Sequence, residues 1–216
     1  MHTVTLEERS VPVGKIVCIG RNYAEHAREL NNPIPDQPVI FIKPASAILA
    51  EGGTIVIPTY SSDCHHEVEL AVLIGTDTKD IAAAEALDRV AGYGVALDLT
   101  LRDVQSRQKE KGLPWEIAKA FDTSCPLSAF VPAAQVDDPQ ALHISLKVNG
   151  TIRQDGNTAS MMRSVAELIA AASACFTLEA GDILLTGTPS GVSRIVSGDR
   201  LEASVEGVGT LTAVVA

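Results

Sequence analysis

Three acidic side chains sit where a strand pattern would bury them. Glu67-Val68-Glu69 lies in an alternating run from His66 to Ile74, whose even positions Val68, Leu70, Val72 and Ile74 form one apolar face. Positions two apart on a strand share a face, so the two carboxylates stand roughly 7 Å apart at Cα and point the same way. Like charges so placed repel unless a cation lies between them. In the run Gly92 to Leu99, Val95, Leu97 and Leu99 form a bulky face. Asp98 shares the other face with Gly94, Ala96 and Thr100, small residues expected to leave space in front of it. A lone carboxylate on a buried strand costs several kcal/mol unless it is paired. One shared cation accounts for both places. Three carboxylates with no obligatory thiolate or imidazole describe an oxygen site for Mg²⁺ or Mn²⁺ rather than Zn²⁺. Adjacent strand residues face opposite ways, so Cys64-His65-His66 cannot converge as a zinc set, and one of these histidines is expected only as outer support. The same spacing also admits Glu67 and Glu69 facing water on an edge strand, with Asp98 paired to Arg102.

Cations and a general base stand close by in the sequence. Arg102 and Gln105 are three apart at the start of a helical stretch and face one direction, a geometry suited to clamping a carboxylate. Lys119 lies among apolar residues in Ile117-Ala118-Lys119-Ala120-Phe121, where an ammonium needs a reason. His26 and Glu29 are also three apart. A carboxylate-held imidazole works as a general base near neutral pH, although an exposed surface pair has the same pattern. Thr186-Gly187-Thr188-Pro189-Ser190-Gly191 reads either as a plain turn or as a loop presenting N–H and hydroxyl groups to an anion.

The elements that must position these groups are mostly strands. Short apolar runs at Lys15–Ile19, Pro38–Lys43, Thr54–Ile57, Asp182–Thr186, Arg200–Val205 and Thr210–Val215 are bounded by turn residues. Val148-Asn149-Gly150-Thr151 predicts a type I′ hairpin. Ser164-x-x-Glu167 predicts a capping box opening a helix with the stripe Val165, Leu168, Ile169 and Ala172. Thr100-x-x-Asp103 is a weaker version, opening a helix that stops near Gly112. Asn22-x-x-Glu25 predicts a short one ended by Asn31, Asn32 and Pro33. Many strands, few helices and no regular βαβ alternation predict an α+β fold with a largely antiparallel or mixed sheet.

The chain has 216 residues, 46% hydrophobic and 20% charged, enough to bury a core without disulfides or structural metal. With 17 Lys plus Arg against 27 Asp plus Glu, the formal charge is −10, which argues against nucleic acid and against an anionic membrane surface. No signal peptide or membrane span is read, and Cys18, Cys64, Cys125 and Cys175 are expected as free thiols, which points to the cytoplasm. No repeat, linker or dinucleotide-binding or Walker motif is present.

The ordered set Gly20-Arg21-Asn22-Tyr23 with His26 and Glu29, Phe41-Ile42-Lys43-Pro44, His65-His66-Glu67-Val68-Glu69-Leu70, Leu97-Asp98-Leu99-Thr100-Leu101-Arg102-Asp103-Val104-Gln105, Lys119-Ala120-Phe121-Asp122 and Thr186-Gly187-Thr188-Pro189 resembles the fumarylacetoacetate hydrolase family. It is most similar to the short branch holding acylpyruvases and oxaloacetate decarboxylases, over nearly the whole chain. The resemblance implies a mixed, mostly antiparallel β-roll or sandwich spanning residues 1–216 as one catalytic domain, pairing as a homodimer. It implies Mg²⁺ or Mn²⁺ on Glu67, Glu69 and Asp98, and a lid at about residues 21–37 carrying His26 and Glu29 as catalytic groups. Lys119 matches the family's active-site lysine, and Arg102, Gln105 and Thr188 match residues that hold a small 2-oxo acid. The first expected activity is hydrolysis of 3-acylpyruvates, such as acetylpyruvate or fumarylpyruvate, to a carboxylate and pyruvate. The second is oxaloacetate decarboxylation, or tautomerisation and decarboxylation of dicarboxylic 2-oxo acids. A non-catalytic protein that binds small acids is the third.

Overall fold

The computed structural model describes residues 2–30 and 33–216. Its labelled strands are β1 (Lys15–Gly20), β2 (Val39–Pro44), β3 (Ile48–Ala50), β4 (Thr54–Ile55), β5 (Val68–Ile74), β6 (Val90–Leu97), β7 (Cys125–Leu127), β8 (His143–Val148), β9 (Thr151–Asn157), β10 (Ile183–Leu185), β11 (Arg200–Val205) and β12 (Gly209–Val215). The helices that concern the site are α1 (Ala24–Glu29), α2 (Arg102–Glu110), α3 (Glu116–Lys119) and α4 (Val165–Cys175).

A mixed sheet runs β2-β1-β10-β5-β6-β7-β3, and a second runs β9-β8-β11-β12-β4. In the first, β1 and β10 are parallel, as are β7 and β3, and the other neighbours are antiparallel. The period-2 pattern of β5 explains the layering. Val68, Leu70, Val72 and Ile74 pack with the inner residues of the second sheet and with Leu168, Ile169 and Ala172 of α4. Ala71 and Leu73 face the other way, into a smaller core with Ile16, Cys18, Phe130 and Ile183. A strand buried on both faces in this way cannot slip register without exposing one apolar set. This is the α+β, β-rich architecture expected from the sequence.

Local signals succeeded where they were self-contained. Asn149 and Gly150 take φ of 51° and 78° in the β8–β9 turn, as a type I′ hairpin requires. Ser164 and Glu167 form the reciprocal capping box at α4, with the Ser164 N–H donating to Glu167 at 2.7 Å. The other two caps do not form. Asp103 accepts instead from the Ser61 hydroxyl at 2.6 Å and from the N–H of Ser62, and α2 starts at Arg102 without a side-chain cap. Asn22 spends its amide on the chain: it donates to the carbonyls of Thr186 at 2.9 Å and Arg163 at 3.1 Å, and accepts from the Arg163 N–H at 3.0 Å. In both cases a tertiary hydrogen bond outcompetes the local one. Helix α1 ends at Glu29; the stop expected at Asn31 and Asn32 lies outside the described residues.

Candidate active site

The sheet ladder itself brings the acids together. Val68 pairs with Leu97, and beyond that pair the Asp98 N–H donates to the Glu67 carbonyl at 2.8 Å. Glu67, Glu69 and Asp98 are all buried, and one carboxylate oxygen from each lies within 4.8 Å of the other two. The alternative with Glu67 and Glu69 in water is thus excluded. So is the Asp98–Arg102 pair, because the Arg102 guanidinium donates to Glu67 instead. The space expected above Asp98 is not where the small residues predicted it. A Cβ on Gly94 would stand 3.1 Å from the Phe130 ring, and Ala96 packs in the same core. Asp98 faces two ammonium groups instead.

Those groups are Lys119 and Lys43. Lys119 Nζ donates to Glu67 at 2.8 Å and to Asp98 at 2.7 Å, and stands 5.0 Å from the centre of the Phe41 ring. Burial works against its charge, but Asp98 and Glu67 outweigh that and hold its pKa above the ordinary lysine value. Lys43 Nζ lies 2.9 Å from Asp98 Oδ1. It donates to the carbonyl of Ser124 at 3.1 Å, to the Ser124 hydroxyl at 3.1 Å, and to the carbonyl of Lys119. Lys43 is wholly buried on β2, and sequence reasoning gave it no role. The signal was available, since an ammonium between Ile42 and Pro44 in an apolar strand raises the same question as Lys119.

The acids are not equally compensated. Burial raises the pKa of Glu67, yet Lys119 and Arg102 beside it prevail and hold it below the carboxylate range. Glu69 goes the other way, pushed well up by burial and then by the charges of Asp98 and Glu67. Its carboxylate accepts from the Gly187 N–H at 2.7 Å, and among the described residues no cation pairs with it. A divalent ion would supply the positive charge that Glu69 lacks, and the oxygen-only donor set of Glu67, Glu69 and Asp98 fits Mg²⁺ or Mn²⁺.

Around this cluster one cavity is lined by Arg21, His26, Phe41, Arg102, Gln105, Lys109, Trp115, Lys119 and Thr188 together with Glu67 and Glu69. Every expected site residue except Glu29 and Asp98 lines it. Asp98 sits behind Lys119, while Glu29 lies behind His26, its carboxylate 3.3 Å from Nδ1. His26 is 5% exposed, which sets aside the surface-pair reading. Arg102 also donates to Gln105 Oε1 at 2.9 Å, so the two side chains do face one direction.

The loop after β10 ties the halves together. It presents N–H groups to anions, as one reading expected, but the anions are the protein's own. Gly187 donates to Glu69, and Gly191 donates to Glu29 at 3.0 Å. Gly187 takes φ of 94°, and a Cβ there would stand 2.8 Å from that of Asn22, so only glycine fits. His66 supports the site at one remove: it contacts Gln154 at 2.9 Å and Ser193 at 2.8 Å rather than an acid of the cluster. Gln154, Arg21, Lys109 and Trp115 were not singled out in the sequence as site residues.

Residues 15–216 match the family described as Fumarylacetoacetate (FAA) hydrolase C-terminal. Oxaloacetate tautomerase YcgM of Escherichia coli (strain K12) is 52% identical over 197 residues, covering 91% of this chain and 90% of its own. The human mitochondrial oxaloacetate tautomerase FAHD1 is 48% identical over 197 residues, covering 91% and 89%. The crystal structure of fumarylpyruvate hydrolase from Pseudomonas aeruginosa, in complex with Mn²⁺ and pyruvate, superposes with a TM-score of 0.94 at 39% identity, over 100% of this chain and 96% of that one. Relatives that are enzymes, on a shared fold, remove the non-catalytic reading. The chain is an enzyme of the fumarylacetoacetate hydrolase family.

Proposed function

We propose that this enzyme interconverts the keto and enol forms of a small dicarboxylic 2-oxo acid, oxaloacetate being the type substrate. That puts the second expected activity ahead of acylpyruvate hydrolysis, as the tautomerase names of the relatives at 52% and 48% identity favour. The observation that carries it is charge. In a protein of net charge −10, one cavity gathers Arg21, Arg102, Lys109 and Lys119 around Glu67 and Glu69. A monocarboxylic 2-oxo acid such as acetylpyruvate needs cations for one carboxylate, whereas oxaloacetate, like fumarylpyruvate, carries a second, and Arg21 lines the cavity together with Arg102.

Arg102 and Gln105 hold the carboxylate next to the oxo group. Lys119 donates to the oxygen on which negative charge grows as the C3 proton leaves. His26, oriented by Glu29, takes that proton from C3 and delivers it to the 2-oxo oxygen, which gives the enol; ketonisation is the same transfer in reverse. A bound Mg²⁺ or Mn²⁺ on Glu67, Glu69 and Asp98 contributes Lewis acidity that favours the enolate. Hydrolysis of an acylpyruvate is the second reading, favoured by the likeness to fumarylpyruvate hydrolase; His26 then activates water.

The deciding experiment follows decay of enol absorbance with oxaloacetate and Mg²⁺, beside pyruvate release from oxaloacetate, acetylpyruvate and fumarylpyruvate. Ketonisation is expected to be the fastest, and Arg21→Gln is expected to raise KM for oxaloacetate more than for acetylpyruvate. Faster pyruvate release from an acylpyruvate would overturn the order. We further propose that the chain acts as one catalytic domain in a homodimer, which sedimentation tests, and in the cytoplasm, consistent with its four free cysteines. Among the described residues no helix is long and apolar enough to cross a membrane.

A further inference from the structure

Behind the cavity lies a buried polar chain that the proposed reaction does not use. Gln154, on β9, is wholly buried, and both ends of its amide are committed. Its Oε1 accepts from the Val68 N–H at 3.0 Å and contacts His66 Nδ1 at 2.9 Å. Its Nε2 donates to the Pro189 carbonyl at 2.9 Å and to Thr188 Oγ1 at 2.7 Å. The two backbone partners fix which end is which, because an N–H needs the oxygen and a carbonyl needs the nitrogen. Thr188 Oγ1 is therefore an acceptor in this bond. Its single proton has no acceptor among the described residues, and Thr188 lines the cavity with Arg102 and Lys119.

We infer that Gln154 is a positioning residue that turns the proton of the Thr188 hydroxyl toward the cavity, so that this side of the site favours a hydrogen-bond acceptor such as an anionic or carbonyl oxygen. A free threonine hydroxyl turns to donate or accept. One that a buried amide already engages has its proton held away from that amide, and donating in turn strengthens the bond it accepts. Val68 ties this chain to β5 one residue from both Glu67 and Glu69, so the donor and the acid cluster are held in one register. The inference rests on the 2-oxo acid reading only for the identity of the ligand.

The test is oxalate binding to the Mg²⁺-loaded protein, measured calorimetrically in the wild type, Gln154→Glu, Thr188→Val and the double variant. Gln154→Glu keeps the shape and the acceptor but cannot donate, so the Thr188 hydroxyl turns back to it. Each single variant is expected to weaken oxalate about ten-fold, the worth of one hydrogen bond to a charged group, and the double variant no further. With oxaloacetate, Gln154→Glu raises KM while kcat stays within about three-fold. Wild-type affinity in Gln154→Glu, or additive losses in the double variant, overturns the inference. Should Gln154→Glu fail to fold, nuclear magnetic resonance of the wild type decides. Oxalate is expected to shift the Gln154 side-chain amide proton that faces Thr188, and an unmoved resonance overturns it. If oxalate shows the coupling but no 2-oxo acid is tautomerised, the function proposal fails and this one stands.

Discussion

The two walls of the cavity are built in opposite ways. The inner wall hangs on β5 and β6, strands packed on both faces, and on the half-buried end strand β2, and its charged atoms hold one another: Lys119 bridges Glu67 and Asp98, and Lys43 reaches Asp98 from behind. The outer wall is α1, six residues long, with no side-chain cap. A helix this short has no stability of its own. It is hung from Asn22 at one end and from the Glu29–Gly191 contact at the other. The acids and lysines stand on the rigid side, and His26, the base of the proposed reaction, stands on the tethered side. Substitutions among the paired charges of the inner wall should therefore damage folding, with Glu69, the acid that burial penalises, as the exception, while those in the outer wall should change chemistry and leave folding near wild type.

The hardest test of the inner wall is Glu69→Gln. It removes the acid with no ion pair, so it should abolish Mg²⁺ affinity and lower turnover about 1,000-fold, since the ion's contribution is several kcal/mol. Because burial penalises this charge, the variant is expected to unfold no earlier than the wild type when both are metal-free. Calorimetric metal titration and thermal melts read the two effects separately. Lys43→Met should do the reverse. It leaves Asp98 with Lys119 as its remaining cation and takes one donor each from the carbonyls of Lys119 and Ser124, which keep the Ser124 hydroxyl and the Leu99 N–H, for a loss of about 3–5 kcal/mol in denaturant unfolding. A melt unchanged from the wild type would show that Lys43 is not holding the wall.

How much of this contrast was legible beforehand depends on the range of the interaction. The alternation of β5, the Asn149-Gly150 turn and the Ser164 capping box are each set within a few residues, and each was readable. The three acids were readable too, because a repeated like charge on an apolar strand is an anomaly that needs a partner. What was hidden is long-range. Nothing near Asn22 says that its amide will go to Thr186 and Arg163 instead of capping α1. Nothing in the polar run Thr151 to Asn157 marks Gln154 as buried. The small residues before Asp98 signalled a close neighbour but not its identity, and Phe130, far along the chain, took the space expected there. The roles of Arg102, Gln105 and Thr188 came from resemblance, and spacing alone supported only the first two.

On the outer wall, His26→Ala is expected to lower kcat for ketonisation about 100-fold, the contribution of one placed acid–base group, while Mg²⁺ affinity and melting temperature stay near wild type. A melt lowered as far as that of Lys43→Met would erase the distinction between the walls.

The smallest effect separates the two tasks of Glu29. Its carboxylate faces His26 Nδ1 at 3.3 Å and accepts from Gly191 at 3.0 Å, so it both orients the imidazole and docks the helix. Glu29→Gln keeps an amide oxygen for Gly191 but loses the charge that steadies a protonated His26. If docking dominates, Glu29→Gln is nearly silent and Glu29→Ala raises KM as the helix loosens. If the charge dominates, Glu29→Gln lowers kcat by itself. Glu29 is part-exposed, with a side chain 32% accessible, so water screens its interaction with His26 and the charge is worth at most about 1 kcal/mol. Glu29→Gln should thus lower kcat no more than about five-fold, and Glu29→Ala should add a rise in KM. The outer wall then owes its geometry to a tether and only a minor part of its chemistry to the carboxylate.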